Sequence, residues 1–283
     1  MTVFARVVSC AVKRRTTGVG HGFSGDPAVA SADLIKYLDV CRQIGPIAEA
    51  KQWIFERLQV TGGHWVLDVG CGTGDDVAAL AAVVGPAGRA VGVDSSEAMI
   101  AEASSRHGAL HGVSFELADA QQLPFESGQF DACRTERVLQ HLPDPDHAVT
   151  EMARVLKSGG RVAMMEPDWD GLLIGGPDPV LSSAIWRHYR LGVRQPMIGR
   201  RLRGLLVQTG FVDVSVEANA NVLTDYDVAA RQFEFTQAAS RAVEAGVVSQ
   251  QQADRWLDDL HRAAREDRFL CSAVSFRAAG QKP

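Results

Sequence analysis

The stretch Trp65-Val66-Leu67-Asp68-Val69-Gly70-Cys71-Gly72-Thr73-Gly74-Asp75-Asp76 decides the fold. Its first five residues read as a short buried strand. Glycines at alternate positions then read as a tight turn that a ligand can approach at the backbone. Val77, Leu80, Ala81 and Val84 follow at helical spacing up to the break at Gly85-Pro86. Ala90-Val91-Gly92-Val93, Val113-Ser114-Phe115-Glu116-Leu117, Phe130-Asp131-Ala132-Cys133 and residues 161–166 repeat the strand pattern. Asp144-Pro145 opens one intervening helix in the order of a capping residue and then proline. Near-continuous apolar strands separated by helices imply a parallel sheet covered on both faces, an α/β fold.

Outward from this core the pattern is less regular. Leu34, Tyr37, Leu38 and Cys41 keep helical spacing behind Ser31, and Ile47, Ile54, Phe55 and Leu58 form a second helix face. Arg6 interrupts the first apolar residues and Lys13-Arg14-Arg15 follow them, the wrong order for a signal peptide. Residues 1–25 are therefore expected to be a flexible tail, 26–60 N-terminal helices over the ligand site, and 61–283 the sheet domain. Downstream, Leu202, Leu205 and Leu206 mark a helix that stops at Gly210. Val212, Val214 and Val216 alternate as a half-buried strand, and Leu270, Ser272, Val274 and Phe276 alternate as the last one. Residues 171–198 and 225–265 read as helical cap insertions, with Trp256, Leu257 and Leu260 as a core stripe.

Composition narrows the function. The 283 residues carry 29 Lys and Arg against 34 Asp and Glu, a net charge of −5, with 46% apolar residues, which excludes collagen-like, disordered and disulfide-scaffold chains. Mild acidity without a basic stripe argues against nucleic acid as partner, and no apolar run approaches the roughly 20 residues of a membrane helix. Five cysteines with no C-x-x-C pair fit a reduced, cytoplasmic protein without a structural metal.

The glycine turn alone does not name its ligand. A dinucleotide fingerprint would place a third glycine at 75 and keep the helix N-terminus free for a diphosphate. Asp75 and Asp76 stand there instead, so a ligand without phosphates fits better. At this point the residues resemble a family. Residues 66–74 are similar to the first motif of the class I S-adenosylmethionine (SAM)-dependent methyltransferases, and the likeness continues in order through residues 64–166. Leu123-Pro124-Phe125, Phe130-Asp131 and Leu156-Lys157-Ser158-Gly159-Gly160 resemble the small-molecule branch around the ubiquinone and menaquinone methyltransferases.

The resemblance implies a Rossmann-like, doubly wound seven-stranded sheet in the order 3-2-1-4-5-7-6 with the last strand antiparallel. It implies SAM as cofactor, S-adenosylhomocysteine as product, a small-molecule acceptor and no metal. Residue by residue, it puts Asp94 on the ribose hydroxyls, Asp119 and Ala120 on the adenine, and Asp68, Gly70 and Gly72 at the glycine turn. Ser95, Met99 and Tyr37 join them as cofactor contacts, and His141 matches a histidine near the transferred methyl, either as a proton acceptor or as a structural histidine that hydrogen-bonds the loop before Asp144.

The chain departs from the family at Cys133-Arg134-Thr135-Glu136-Arg137, where small or apolar residues are usual. Two readings stand: an ion-pair cluster at the pocket rim, or an Arg134 or Arg137 fork on a carboxylate of cofactor or acceptor. Glu166-Pro167-Asp168-Trp169-Asp170 ends a strand where a catechol-type enzyme would hold magnesium, but its acids follow no known ligand spacing. Arg187, Arg190 and Arg194 form a stripe, followed by Arg200, Arg201 and Arg203; a solvated face is favoured over a lid drawing in an anionic acceptor. The rival functions are a non-catalytic SAM-binding regulator and, against the evidence of Asp75, a nicotinamide-dependent oxidoreductase.

Overall fold

The computed structural model describes residues 35–36, 38–39, 45–176 and 178–283. Helix α1 (Gly45–Leu58) leads into β1 (Trp65–Val69), α2 (Asp75–Val84), β2 (Arg89–Asp94), α3 (Glu97–His107) and β3 (Val113–Leu117). Then come β4 (Phe130–Glu136), a 3-10 turn (Leu139–His141), α4 (Pro145–Val155) and β5 (Leu156–Ile174). The C-terminal part holds α5 (Pro179–Tyr189), α6 (Ile198–Gln208), β6 (Val212–Leu223), α7 (Tyr226–Phe233), α8 (Phe235–Glu244), α9 (Gln250–Arg265) and β7 (Cys271–Gln281).

The strands form one sheet in the order β3-β2-β1-β4-β5-β7-β6. β1 to β5 pair in parallel, and β7 runs antiparallel to both β5 and β6. This is the topology the resemblance implies. The two-residue period of the strands splits their apolar residues between two layers. Val66, Ala90, Ala132, Ala163 and Met165 pack with Ile54 and Leu58 of α1 and with Val77 and Leu80 of α2. Leu67, Val69, Val93, Cys133, Val162 and Met164 pack on the other face with residues of α4 and α6, including Met152 and Leu205. A third core, around Leu172, Trp186, Phe235, Trp256 and Leu260, belongs to the cap.

Several boundaries move. β5 is 19 residues long, not the six of 161–166. It starts where α4 ends and runs past a register shift between Asp168 and Leu173, so residues 171–174 are strand and not cap. β4 continues to Glu136, which brings Arg134 into the sheet. The valine alternation of β6 does not mark its inner face. Between Val212 and Ser215 the register shifts, with Asp213 at φ 52°. Beyond this bulge Val216 and Val222 are exposed, while Asn221 and Leu223 turn inward. The helical run 225–265 is three helices, broken at Glu234 with φ 50° and restarted by a Ser249–Gln252 capping box. Of the helix expected over 31–43, residues 35, 36, 38 and 39 are described and helical; the expected 1–25 tail lies outside the described residues. No described helix is long and apolar enough to cross a membrane. Among the described residues Cys71, Cys133 and Cys271 are buried free thiols.

Candidate active site

Sheet register builds the floor of the site. Asp68 and Arg134 are Cα partners across β1 and β4. They stand two residues on from Val66 and Ala132, so both lie on the sheet face covered by α1 and α2. Arg134 is only 1% exposed. Its Nη1 donates to Asp68 Oδ2 at 3.1 Å and Asp76 Oδ2 at 2.5 Å, and its Nη2 to Glu136 Oε2 at 2.6 Å. Lys51 of α1 pairs with Asp76 and stands 3.7 Å from Glu136.

Burial pushes the Asp68 carboxyl up to about 6 against the pull of Arg134. Burial acts on Asp76 as well, but Arg134 and Lys51 outweigh it and hold that carboxyl well below the usual range. Three carboxylates thus share two enclosed cations, with Arg137 Nε 3.5 Å from Glu136 at the outer edge. The ion-pair reading of residues 134–137 is the geometry found, but it sits beneath the turn and not at the rim.

Above this floor the glycine turn holds two kinds of glycine. Gly70 has φ +77°, and a Cβ there would meet Val138 Cγ2 at 2.1 Å. Gly72 has φ +51°, and its Cβ position is bounded only by Leu38 Cδ1 at 3.3 Å. Gly70 is demanded by packing, Gly72 by open space beside a left-handed backbone. At the end of β2, Asp94 Oδ2 accepts from Gly72 N at 3.0 Å and Oδ1 from Ser96 N at 2.9 Å. These bonds fix the carboxylate on the turn, while burial raises its pKa. The Ser96 hydroxyl, not Asp94, caps α3. Asp119 Oδ1 accepts from Gln121 N at 2.8 Å.

A cavity of about 350 Å³ opens here, lined by Asp68, Gly70, Gly72, Asp94, Ser95, Met99, Asp119, Ala120, Arg134 and His141 among others. The structure therefore brings together every site residue expected from sequence except Tyr37, which lies outside the described residues.

Residues 61–187 match a family model described as a methyltransferase domain. An uncharacterized 37.1 kDa protein in transposon TN4556 of Streptomyces fradiae is 40% identical over 232 residues, 82% of this chain and 67% of that protein. Demethylmenaquinone methyltransferase of Staphylococcus aureus is 36% identical over 137 residues, 47% of this chain and 57% of that enzyme. Haemonchus contortus phosphoethanolamine N-methyltransferase 2, solved in complex with S-adenosyl-L-methionine, shares the fold with a TM-score of 0.54 at 22% identity, over 83% of this chain and 52% of that one. The chain thus spans about two thirds of the first relative's length and little more than half of the other two. The chain belongs to the class I SAM-dependent methyltransferases.

The far wall of the methyltransferase's cavity comes from β5 and the 3-10 turn. Glu166 is fully buried and accepts from Val138 N at 2.8 Å, Leu139 N at 2.7 Å and Gln140 N at 3.3 Å. Burial pushes its carboxyl up to about 8, even against these three donors. It anchors the turn that carries His141 to the cavity. Gln140 Oε1 in turn accepts from Trp169 Nε1 at 2.6 Å, fixing the indole at the cavity's end.

The acids of residues 166–170 do not converge. Glu166 points into the turn, whereas Asp168 pairs with Arg200, and Asp170 pairs with Arg200 at 3.0 Å and Arg190 at 3.3 Å. Among the described residues no group of three or more His, Cys, Asp or Glu is arranged to hold a metal. Of the stripe, Arg187 and Arg194 are exposed and Arg190 is tied to Asp170; of the arginines that follow it, Arg200 pairs with Asp168 and Asp170, and Arg201 with Asp146. Lys51, Gln140 and Trp169 line the cavity as well; the sequence reading meets Trp169 only among the acids of 166–170 and gives none of the three a role.

Proposed function

We propose that this methyltransferase binds SAM in the cavity at the ends of β1, β2 and β4 and transfers its methyl group to a small-molecule acceptor. One observation supports this most directly. A half-buried aspartate, Asp94, is held by Gly72 N and Ser96 N beside a glycine cradle that a side chain at 72 would occupy. The donor set suits a hydroxyl-rich, cationic and phosphate-free ligand. Asp94 and Asp119 offer carboxylate acceptors, and the floor holds one carboxylate more than its enclosed cations. Lys51 and Arg134 are already committed to those carboxylates, leaving a diphosphate poorly matched.

SAM supplies an activated methyl group on a sulfonium, already a good leaving group. The protein's share is then positioning and exclusion of water, and orientation alone is worth about 7–11 kcal/mol in well-aligned systems. Asp94 and Asp119 with Ala120 would orient the nucleoside. Arg134 would act by holding Asp68 in place below Gly70. His141, which lines the cavity on the turn anchored by Glu166, would take a proton from an acceptor that arrives protonated.

The test is methyl transfer from methyl-labelled SAM to fractionated cell extract. Label recovered with low-molecular-mass compounds is the expected result. Label in protein or nucleic acid, or none transferred while S-adenosylhomocysteine binds, would overturn the small-molecule reading; the latter would favour a non-catalytic binder.

A further inference from the structure

Trp169 borders a second cavity besides the first. This chamber, about 90 Å³, lies between the cap and the β5–β7–β6 part of the sheet. Its apolar walls are Trp169, Trp186, Leu172 and Phe233. Trp186 stacks on Trp169 with ring centroids 5.9 Å apart and donates its indole N–H to the Trp169 carbonyl at 2.5 Å, so this wall is rigid. Phe233 meets Trp186 edge-on at 6.0 Å.

The opposite side is polar. Asn219 and Asn221 share one face of β6, and Gln232 reaches in from α7. Asn221 is 8% exposed, and its Oδ1 has no hydrogen-bond partner among the described residues. The same holds for the buried Oε1 of Gln232. An amide oxygen enclosed without a donor bears the whole desolvation penalty, and such groups persist where water or a ligand completes them. Two around one chamber therefore indicate an occupant that brings donors. The volume is several times the minimum for one water and below the roughly 150 Å³ of a cavity known to take benzene. It suits a planar group of one ring or less, not a whole acceptor.

We propose that this chamber is the acceptor-specificity subsite, taking a small planar group, phenol-like in chemistry, whose O–H donates to the side-chain oxygen of Asn221 or Gln232 while water completes the other. Trp169 is the wall shared with the cofactor cavity, so the acceptor's recognised end lies on one side of the indole and its reacting end on the other. This rests on the methyltransferase reading above and deepens it.

The test uses phenol and toluene as probes, which match in shape but differ in the donor. Each is titrated into the full chain saturated with S-adenosylhomocysteine, followed by calorimetry and by the side-chain amide signals of Asn221 and Gln232 in nitrogen-15 NMR. Phenol is expected to bind at least tenfold more tightly than toluene and to shift the amide signal of at least one of the two residues. The near-isosteric pair Asn221→Leu with Gln232→Met should abolish that preference and leave S-adenosylhomocysteine affinity within twofold. Equal binding of the two probes, no binding of either, or a phenol preference that survives the double variant would overturn the proposal; a chamber holding only water gives the second result. If the double variant fails to fold, the wild-type amide shifts decide by themselves. Failure of S-adenosylhomocysteine to bind would count against the cofactor reading instead, and the probes are then read on the chain alone.

Discussion

The two halves of this molecule are held together by different physics. Around the glycine turn, buried charge and main-chain hydrogen bonds dominate: Asp68, Arg134, Asp76 and Glu136 interlock, and Asp94 and Glu166 are fixed by backbone N–H groups. In the cap, aromatic packing takes over, with Trp169, Trp186 and Tyr189 stacked in series and Phe235 edge-on to Trp256. The charged half reads its ligand through positions the backbone dictates. The aromatic half shapes a space whose chemistry depends on which side chains from separate elements meet. A cofactor site of this kind can be shared widely, while a cap of this kind can be individual.

If the halves are as separate as this, damage to one should spare the other. Arg134→Met should have the largest effect, because it strands Asp68, Asp76 and Glu136 without their shared cation; breaking a buried pair typically costs about 3–5 kcal/mol. Urea unfolding would measure it, and S-adenosylhomocysteine affinity should fall as well. Phe235→Ala, in the cap core, should also cost about 3–5 kcal/mol of stability. Here the cofactor affinity of the folded fraction should stay within twofold. A cap variant that lost cofactor binding would show that the halves are coupled.

Gly72→Val sharpens the comparison from the other side. The side chain would enter the cavity, and the left-handed backbone adds strain of about 1–3 kcal/mol. Binding of S-adenosylhomocysteine should drop more than 100-fold by calorimetry, with the aromatic near-ultraviolet signal of the cap unchanged. The effect that is smallest per step of the measurement is a pH dependence. Glu166 binds its proton more tightly folded than unfolded, so its stabilisation is complete below about 4.5 and is lost as pH rises through about 8. Wild-type stability should therefore fall relative to Glu166→Gln between pH 5 and 8, by at most about 1.4 kcal/mol per pH unit. Parallel curves for the two proteins would contradict it.

The contrast also explains what the sequence discloses. The turn at 68–74, the acid at 94 and the pair 119–120 are local in the chain, and their spacing is set by strand and turn geometry, so they can be read without a structure. The sheet order is what the family resemblance carried by these motifs implies. Arg134 was visible as an oddity, but its role needed the β1–β4 register, which places it opposite Asp68. In β6 the register shifts at Asp213, so of the valines that pointed to a half-buried strand only Val214 packs on the core, and further along Asn221 turns inward. Gln232 lies in a helix that reads as ordinary amphipathic surface. Nothing in its own neighbourhood signals a cavity.

The central claim is that the charged half recognises SAM through its nucleoside carboxylates. Calorimetry of wild type and Asp94→Ala with S-adenosylhomocysteine and with NAD tests it most directly. Wild type should bind S-adenosylhomocysteine at one site per chain and give no heat with NAD, and Asp94→Ala should weaken binding by about 1.5–3 kcal/mol, the scale of hydrogen bonds to a charged group. An unchanged affinity in Asp94→Ala, or tight NAD binding with no response to S-adenosylhomocysteine, would contradict the account.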